Sequence, residues 1–307
     1  MEILASGLSY FDLNFLGVPR IIATVVLHGA GGAALIDPGP SSTLPMLRAG
    51  LSKAGIGIGD LRALLLTHIH LDHAGATGTL LLENPELKVY VHEKGAPHMV
   101  DPSKLIASAT RLWGDDMERL WGEFRAVPES ALVVLKGGEK FDACGRELEV
   151  AYTPGHASHH VSYFNRDTGI AFVGDTAGIR IMPGGFIMPP TPPPDIDLEL
   201  WRHSLQRIGQ WRPETVFVTH FGPHASAGAH LPEVAANLEL TASLVKASLA
   251  RPGGDPDREE WFSEELRREL RRRMSEADAQ AYEVAGRFDL NWRGLARYWR
   301  KRDRVNS

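Results

Sequence analysis

Up to His220, short runs of aliphatic and β-branched residues alternate with segments whose apolar positions recur at helical spacing. RIIATVVLHG (20–29) and GAALIDPGP (32–40) predict two strands joined by a Gly-Ala-Gly-Gly turn. SSTLPMLRAGLSKAGI (41–56) predicts a helix opened by Ser and Thr and closed at Gly55. A buried-looking strand, LRALLL (61–66), follows and delivers the chain to His68. The same order repeats with the helix GATGTLLLEN (75–84) and the strand KVYVH (88–92), the pattern of a layered α/β protein with helices outside its sheets.

From about 93 to 130 the period is helical. KLIASATRLWGDDMERLWGEF (104–124) is expected to form either a cap over a site or an ordinary packed helix pair. Strand character returns in ELEVAYTPGH (147–156), in the hairpin VSYFNRDTGIAFVGD (161–175) and in TVFVTH (215–220). Between the last two lies a proline-rich loop, too stiff for a helix before about Asp195. The chain turns helical in LPEVAANLELTASLVKASLA (231–250), breaks at RPGGDPD and resumes over 258–285. The expected organisation is a catalytic domain over 1–228, with the helical insertion, and a helical region over 229–307.

Composition narrows the chemistry. A length of 307 residues with 43% hydrophobic residues suffices for a sizeable core, and a net charge of −5 argues against a nucleic-acid partner across the whole surface. No apolar run approaches a membrane span and the first residues lack the pattern of a leader, so a cytoplasmic protein without a membrane partner is expected. The basic stretch Trp292–Arg304 reads as a solvated helix face, with an acidic partner or a homo-oligomer contact as the alternative. Cys144 is the single cysteine, so any metal must be held by His, Asp or Glu.

The segment LLLTHIHLDHAGA (64–76) concentrates such residues. His68 and His70, two apart at a strand end, can leave the backbone on one side and bind one ion. Asp72 and His73 come as the chain turns and can serve a neighbouring one. Further on, His156, Asp175 and His220 each close a β-rich run, which makes a coincidence of polar residues at strand ends a poor account.

In order, Asp37, THIHLDH, His156, Asp175 and His220 resemble the motifs of the metallo-β-lactamase-fold hydrolase superfamily, over about residues 3 to 225. The resemblance implies an αββα four-layer sandwich. It implies a first metal on His68, His70 and His156, a second on Asp72, His73 and His220, and Asp175 bridging them. Asp175 within Gly-Asp-Thr looks more like the glyoxalase II thiolesterases, lactonases and phosphodiesterases than true β-lactamases. TPGHASHH is similar to the glyoxalase II Thr-Pro-Gly-His-Thr-x-Gly-His run, with Ala157 and His159 as departures. That family's glutathione-binding pattern has no match after His220.

The expected activity is hydrolysis of a small ester, thioester or lactone through a metal-bound hydroxide. Two divalent cations, two carboxylates and one hydroxide leave a net positive centre that acidifies bound water and stabilises a developing oxyanion. Imidazole and carboxylate ligands suit Zn²⁺ and also accept Fe or Mn. Asp72 is also the candidate proton shuttle. Asp37 and His160 are expected to support the ligands from behind, with a turn-forming role as the alternative for Asp37. Arg180, Phe186 and His224 are candidates to touch a small-molecule substrate. The alternatives are a phosphodiesterase, a mononuclear iron persulfide dioxygenase, and a non-enzymatic metal-binding scaffold.

Overall fold

A computed structural model describes residues 1–182 and 184–306; Pro183, in the proline-rich loop, and Ser307 lie outside them. Strands β1 (Glu2–Ala5), β2 (Leu8–Asp12), β3 (Ala23–Gly29), β4 (Gly32–Ile36), β5 (Leu61–Leu65), β6 (Lys88–His92) and β7 (Leu132–Leu135) form one sheet in sequence order. Pairing is antiparallel from β1 to β4 and parallel from β4 to β7. Each parallel step needs a crossover, which helices supply. These are α1 (Leu44–Lys53), then α2 (Leu71–Ala74) and α3 (Thr77–Glu83), then α4 (Ala96–Val100), α5 (Ser103–Trp113) and α6 (Met117–Trp121).

The second sheet runs β13-β12-β11-β10-β9-β8, from β8 (Lys140–Asp142), β9 (Glu147–Tyr152), β10 (Val161–Asn165), β11 (Ile170–Phe172), β12 (Thr215–Val218) and β13 (Gly222–Ala225). β10 and β11 form the expected hairpin, with Tyr163 opposite Phe172. Side chains alternate across the first sheet, as the strand period demands. Val25, Leu27, Ala34 and Ile36 enter the core shared with the second sheet, whereas Val26, Ala33 and Leu35 enter an outer core with Leu47 and Leu51 of α1 and Leu80 of α3. Both faces are covered, which is why these strands read as unbroken apolar runs.

On the far side, α7 (Leu198–Gln210) buries Trp201, Leu205 and Ile208, and α8 (Ala227–Leu249) buries Val234 and Leu238. Helices therefore flank two packed sheets, the αββα order expected. The Asp197 side chain accepts from Leu200 N at 2.9 Å, which starts α7 three residues beyond the expected point. α8 begins four residues earlier than expected. α9 (Asp255–Arg271) starts inside the breaker, with Pro256 in its first turn, where a missing N–H costs nothing. The run over 258–285 divides at Ser275, whose hydroxyl accepts from Asp278 N and opens α10 (Glu276–Gly286).

The basic tail becomes α11 (Phe288–Asn306), which is only partly a solvated face. Trp292, Leu295 and Ala296 are buried, while Arg293 pairs with Glu259 at 3.0 Å, Arg300 with Asp255 and Arg302 with Glu199. Much of its charge meets this chain's own acids. The short strands β1, β2, β7, β8 and β13 have no counterpart among the runs expected from sequence. Among the described residues, no helix is long and apolar enough to cross a membrane.

Candidate metal centre

The seven candidate ligands all follow strand ends. β5 stops at Leu65, and Thr67 N then donates to Asp37 Oδ1 at 2.8 Å, peeling the chain away from the sheet. His70 is the extended residue that opens α2, and Asp72 and His73 lie in its single turn. His156, Asp175 and His220 follow β9, β11 and β12. Glycines permit the close approach of these loops. A Cβ on Gly174, at φ +47°, would lie 2.6 Å from Thr67 Oγ1, and one on Gly155 would lie 2.4 Å from Trp201 Cα.

The ligand atoms fall into two groups. His68 Nε2 lies 2.9 Å from His70 Nδ1, and His156 Nε2 lies 3.0 Å from the same atom. His220 Nε2 lies 3.4 Å from Asp72 Oδ2, and His73 Nε2 lies 3.7 Å from it. Asp175 faces both groups: Oδ2 is 3.3 Å from His156 Nε2, while Oδ1 is 3.3 Å from His73 Nε2 and 3.4 Å from His220 Nε2. A tetrahedral ion with bonds of 2.0–2.1 Å separates its ligands by about 3.3 Å, so these spacings fit two such ions. Buried His73 Nε2 and Asp175 Oδ1 have no hydrogen-bond partner, as expected of atoms whose lone pairs serve a cation.

The far ring nitrogens are held so that the near ones keep their lone pairs. His73 Nδ1–H donates to Asp37 Oδ2 at 2.8 Å, His156 Nδ1–H to Pro190 O at 2.8 Å, and His220 Nδ1–H to Ile21 O at 2.6 Å. Thr67 Oγ1 gives its proton to Asp37 Oδ2 at 2.7 Å and therefore accepts from His68 Nδ1–H at 3.1 Å. Thr219 Oγ1 also donates to Asp37 Oδ2, at 2.9 Å. Asp37 thus governs His73 directly and His68 through Thr67. His160 Nε2 accepts from Asp175 N at 3.2 Å, with Nδ1–H toward Thr153 and Thr176, and this holds the backbone that carries Asp175.

Electrostatics separates the groups. Burial pushes His68 well below the ordinary imidazole range, His70 down to about 4, and His156 downward, so all three are neutral at pH 7. Burial would raise Asp72 and Asp175, but neighbouring histidines outweigh it: His73 and His220 bring Asp72 to about 2, and the same residues with His156 take Asp175 well below the usual range. Burial would lower His73 and His220, yet these carboxylates raise both. The carboxylates draw positive charge toward themselves, and a divalent cation supplies it more fully than a proton.

His70, Asp72, His156, Asp175 and His220 line a cavity of about 920 Å³, Asp72 with its side chain 25% exposed, while His68 and His73 lie buried behind them. Phe15 and Ile21, Leu105 to Trp113 of α5, Trp121 of α6 and residues of α9 to α11 wall it, so the helical insertion does line the site. Three expected substrate contacts go elsewhere. Phe186 is buried in the main core beneath Arg273. Arg180 reaches His230, Nη1 to Nδ1 3.4 Å, and His224 stacks on that same ring. An apolar loop beside a site packs inward when the core has room for it. His159, one of the departures from the glyoxalase II run, lines the cavity, and its Nδ1 accepts from Ile69 N at 3.4 Å. Its place beside His156 and His160 was the available signal.

Residues 17–220 match the model of the metallo-beta-lactamase superfamily. A metallo-beta-lactamase fold-containing protein of Sulfurisphaera tokodaii is 31% identical over 207 residues, which span 66% of this chain and 74% of the relative. A hydroxyacylglutathione hydrolase of a Synechococcus strain is 31% identical over 150 residues, 47% of this chain and 45% of that protein. The match thus spans less than half of the hydrolase. Among solved structures, a metallo-beta-lactamase family protein from Thermus thermophilus shares the fold with a TM-score of 0.72 at 22% identity, covering 98% of this chain and 95% of that one. The chain belongs to the metallo-beta-lactamase superfamily.

Proposed function

We propose that the protein is a dinuclear metal-dependent hydrolase of a small ester, thioester or lactone, with Zn²⁺ the best-suited metal and Fe or Mn acceptable to the same ligands. The observation that carries this reading is Asp175, whose two oxygens face two separate groups of imidazoles beside one cavity. His68, His70 and His156 would hold one ion, Asp72, His73 and His220 the other, and Asp175 both. Bound there, two divalent cations would polarise a carbonyl and bring the pKa of water toward about 7. The superfamily's prevalence of metal-dependent hydrolases and the match to hydroxyacylglutathione hydrolases, which are thioesterases by name, support the same class.

The chain's own residues supply order and proton handling. Asp37, Pro190 O and Ile21 O keep the ligand imidazoles in one tautomer, which spares the site reorganisation during reaction. Asp72 carries a negative charge at the lining of the cavity, where it can take a proton and hand it to the leaving group. The apolar walls limit competing water.

The test is metal analysis of protein purified without chelators, followed by assays on a thioester, an aryl ester, a lactone and bis-p-nitrophenyl phosphate. Two metals per chain and carbonyl hydrolysis are expected. One iron per chain, turnover of the phosphodiester alone, or metal without any turnover would each overturn the proposal.

A further inference from the structure

Leu71 stands between His70 and Asp72 in the chain, yet it packs in an apolar cluster separate from both cores, with Ala109, Leu120 and Trp121. Phe15 and Trp113 pack against this cluster. The Phe15 and Trp121 rings stack at 5.5 Å, and Trp113 meets Trp121 edge-on at 5.2 Å. All of these residues line the cavity that holds His70 and Asp72, so an aromatic and aliphatic wall runs directly from the ligand loop.

Two further observations mark this wall as a ligand surface. Trp121 is 8% exposed, and its indole Nε1 is buried with no acceptor, a deficit that a ligand oxygen would relieve. At the outer end the Arg287 guanidinium lies 4.7 Å from the Trp113 ring, so α5 and the C-terminal helices meet across the cavity. Its volume of about 920 Å³ lies within the small-ligand range and exceeds what the reacting carbonyl alone would occupy.

The opposite wall disfavours a polyanion. Glu259, Glu260 and Glu283 line it, and its two arginines are already paired, Arg267 with Glu260 and Glu283 and Arg287 with Asp289.

We propose that the aromatic wall binds an extended, unbranched hydrocarbon chain of the substrate, so that the protein acts on medium-chain esters or thioesters in preference to acetyl or other short ones. This rests on the hydrolase reading above. A flexible methylene chain lies along stacked ring faces with contact at each carbon.

The test uses the metal-loaded protein and two ester series: acyl chains from two to twelve carbons on one p-nitrophenyl leaving group, and acetate esters of alcohols of the same lengths. The expected result is kcat/KM rising up to about fourfold per methylene in one series. A rise in the first puts the chain on the acyl side and a rise in the second on the leaving-group side, and either supports the wall. Flat profiles in both, with hydrolysis measurable, overturn this proposal and leave the hydrolase reading intact. No hydrolysis of any ester overturns that reading, and this proposal with it.

Binding gives a readout apart from turnover. Decanoate is expected to quench tryptophan fluorescence at concentrations at least tenfold below acetate. Leu112→Gln, on the cavity side of α5, should weaken decanoate at least fivefold and flatten the chain-length slope. Should that variant misfold, Trp121→Phe, which keeps the ring and removes the N–H, should alter decanoate binding. Wild-type slopes in a folded variant overturn the proposal.

Discussion

Asp37→Asn is the sharpest single test of how the centre is held. The carboxylate is buried and accepts from Thr67 N, Thr67 Oγ1, His73 Nδ1 and Thr219 Oγ1 at 2.7–2.9 Å. Its backbone sits at φ +51°, which Asn adopts as readily as Asp, so the substitution changes the acceptor and spares the backbone. The amide oxygen can still take Thr67 N–H, and threonine hydroxyls can rotate to accept from the amide. His73 Nδ1–H cannot: it would face an N–H. Relief requires the His73 proton to move to Nε2, the atom 3.3 Å from Asp175 Oδ1 that is meant to bind metal. Thr67 Oγ1, freed from Asp37, can then donate to His68 Nδ1 and push that proton to Nε2 as well.

Two effects follow. Losing a hydrogen bond to a charged group costs roughly 1.5–3 kcal/mol of folding stability. Losing the partner behind a ligand imidazole costs 10- to 100-fold in metal affinity, or about 1.4–2.7 kcal/mol. Urea unfolding of metal-free protein reads the first, and titration against a chromophoric chelator reads the second. Unfolding free energies within about 0.5 kcal/mol of wild type, together with Kd values within twofold for both ions, would refute the tautomer argument.

Other outcomes are equally concrete. Asp175→Ala and His70→Ala should each lower turnover by orders of magnitude, with the metal content of Asp175→Ala reduced at both sites; near-normal rates in folded, metal-analysed variants would exclude the centre. Burial holds His230 down to about 4, with Nε2–H donating to Ala177 O at 2.8 Å. Its folded pKa lies below the unfolded value near 6.5, so its contribution is intact above that pH and lost as pH falls toward 4, a decline of up to about 3 kcal/mol. His230→Gln should flatten that limb in urea unfolding between pH 4 and 7; an unchanged slope would exclude the assignment. Removal of metal by a chelator should lower the unfolding free energy, and restoring metal at 100 times its Kd should return about 2.7 kcal/mol per site. A chelator-insensitive unfolding curve in protein that began metal-loaded would contradict the coupling.

Much of the candidate centre was legible in the chain because potential metal ligands follow local rules. His68 and His70 at spacing two, Asp72 and His73 in the following turn, and a ligand after each of three later strands are patterns that adjacent residues create. The loop after Asp175 obeyed no such rule. Its apolar residues suit a cavity wall and a core equally, and Phe186 went to the core because α9 and α10 were there to receive it. Arg180 and His224 found His230, a residue in the first turn of α8 that no local pattern connects to them. Short strands such as β8 and β13 carry too few residues for a period to show.

The alternation of the longer strands and helices and the placing of candidate metal ligands at strand ends were determined by the sequence itself, since periodicity and ligand spacing are properties of neighbouring positions. Only the tertiary structure decided that Asp37 sets two tautomers through Thr67 and that α5, α6 and the C-terminal helices wall one cavity. Those relations join residues tens to hundreds of positions apart. They arise from packing, where the partner of each group is whichever one the fold brings within reach.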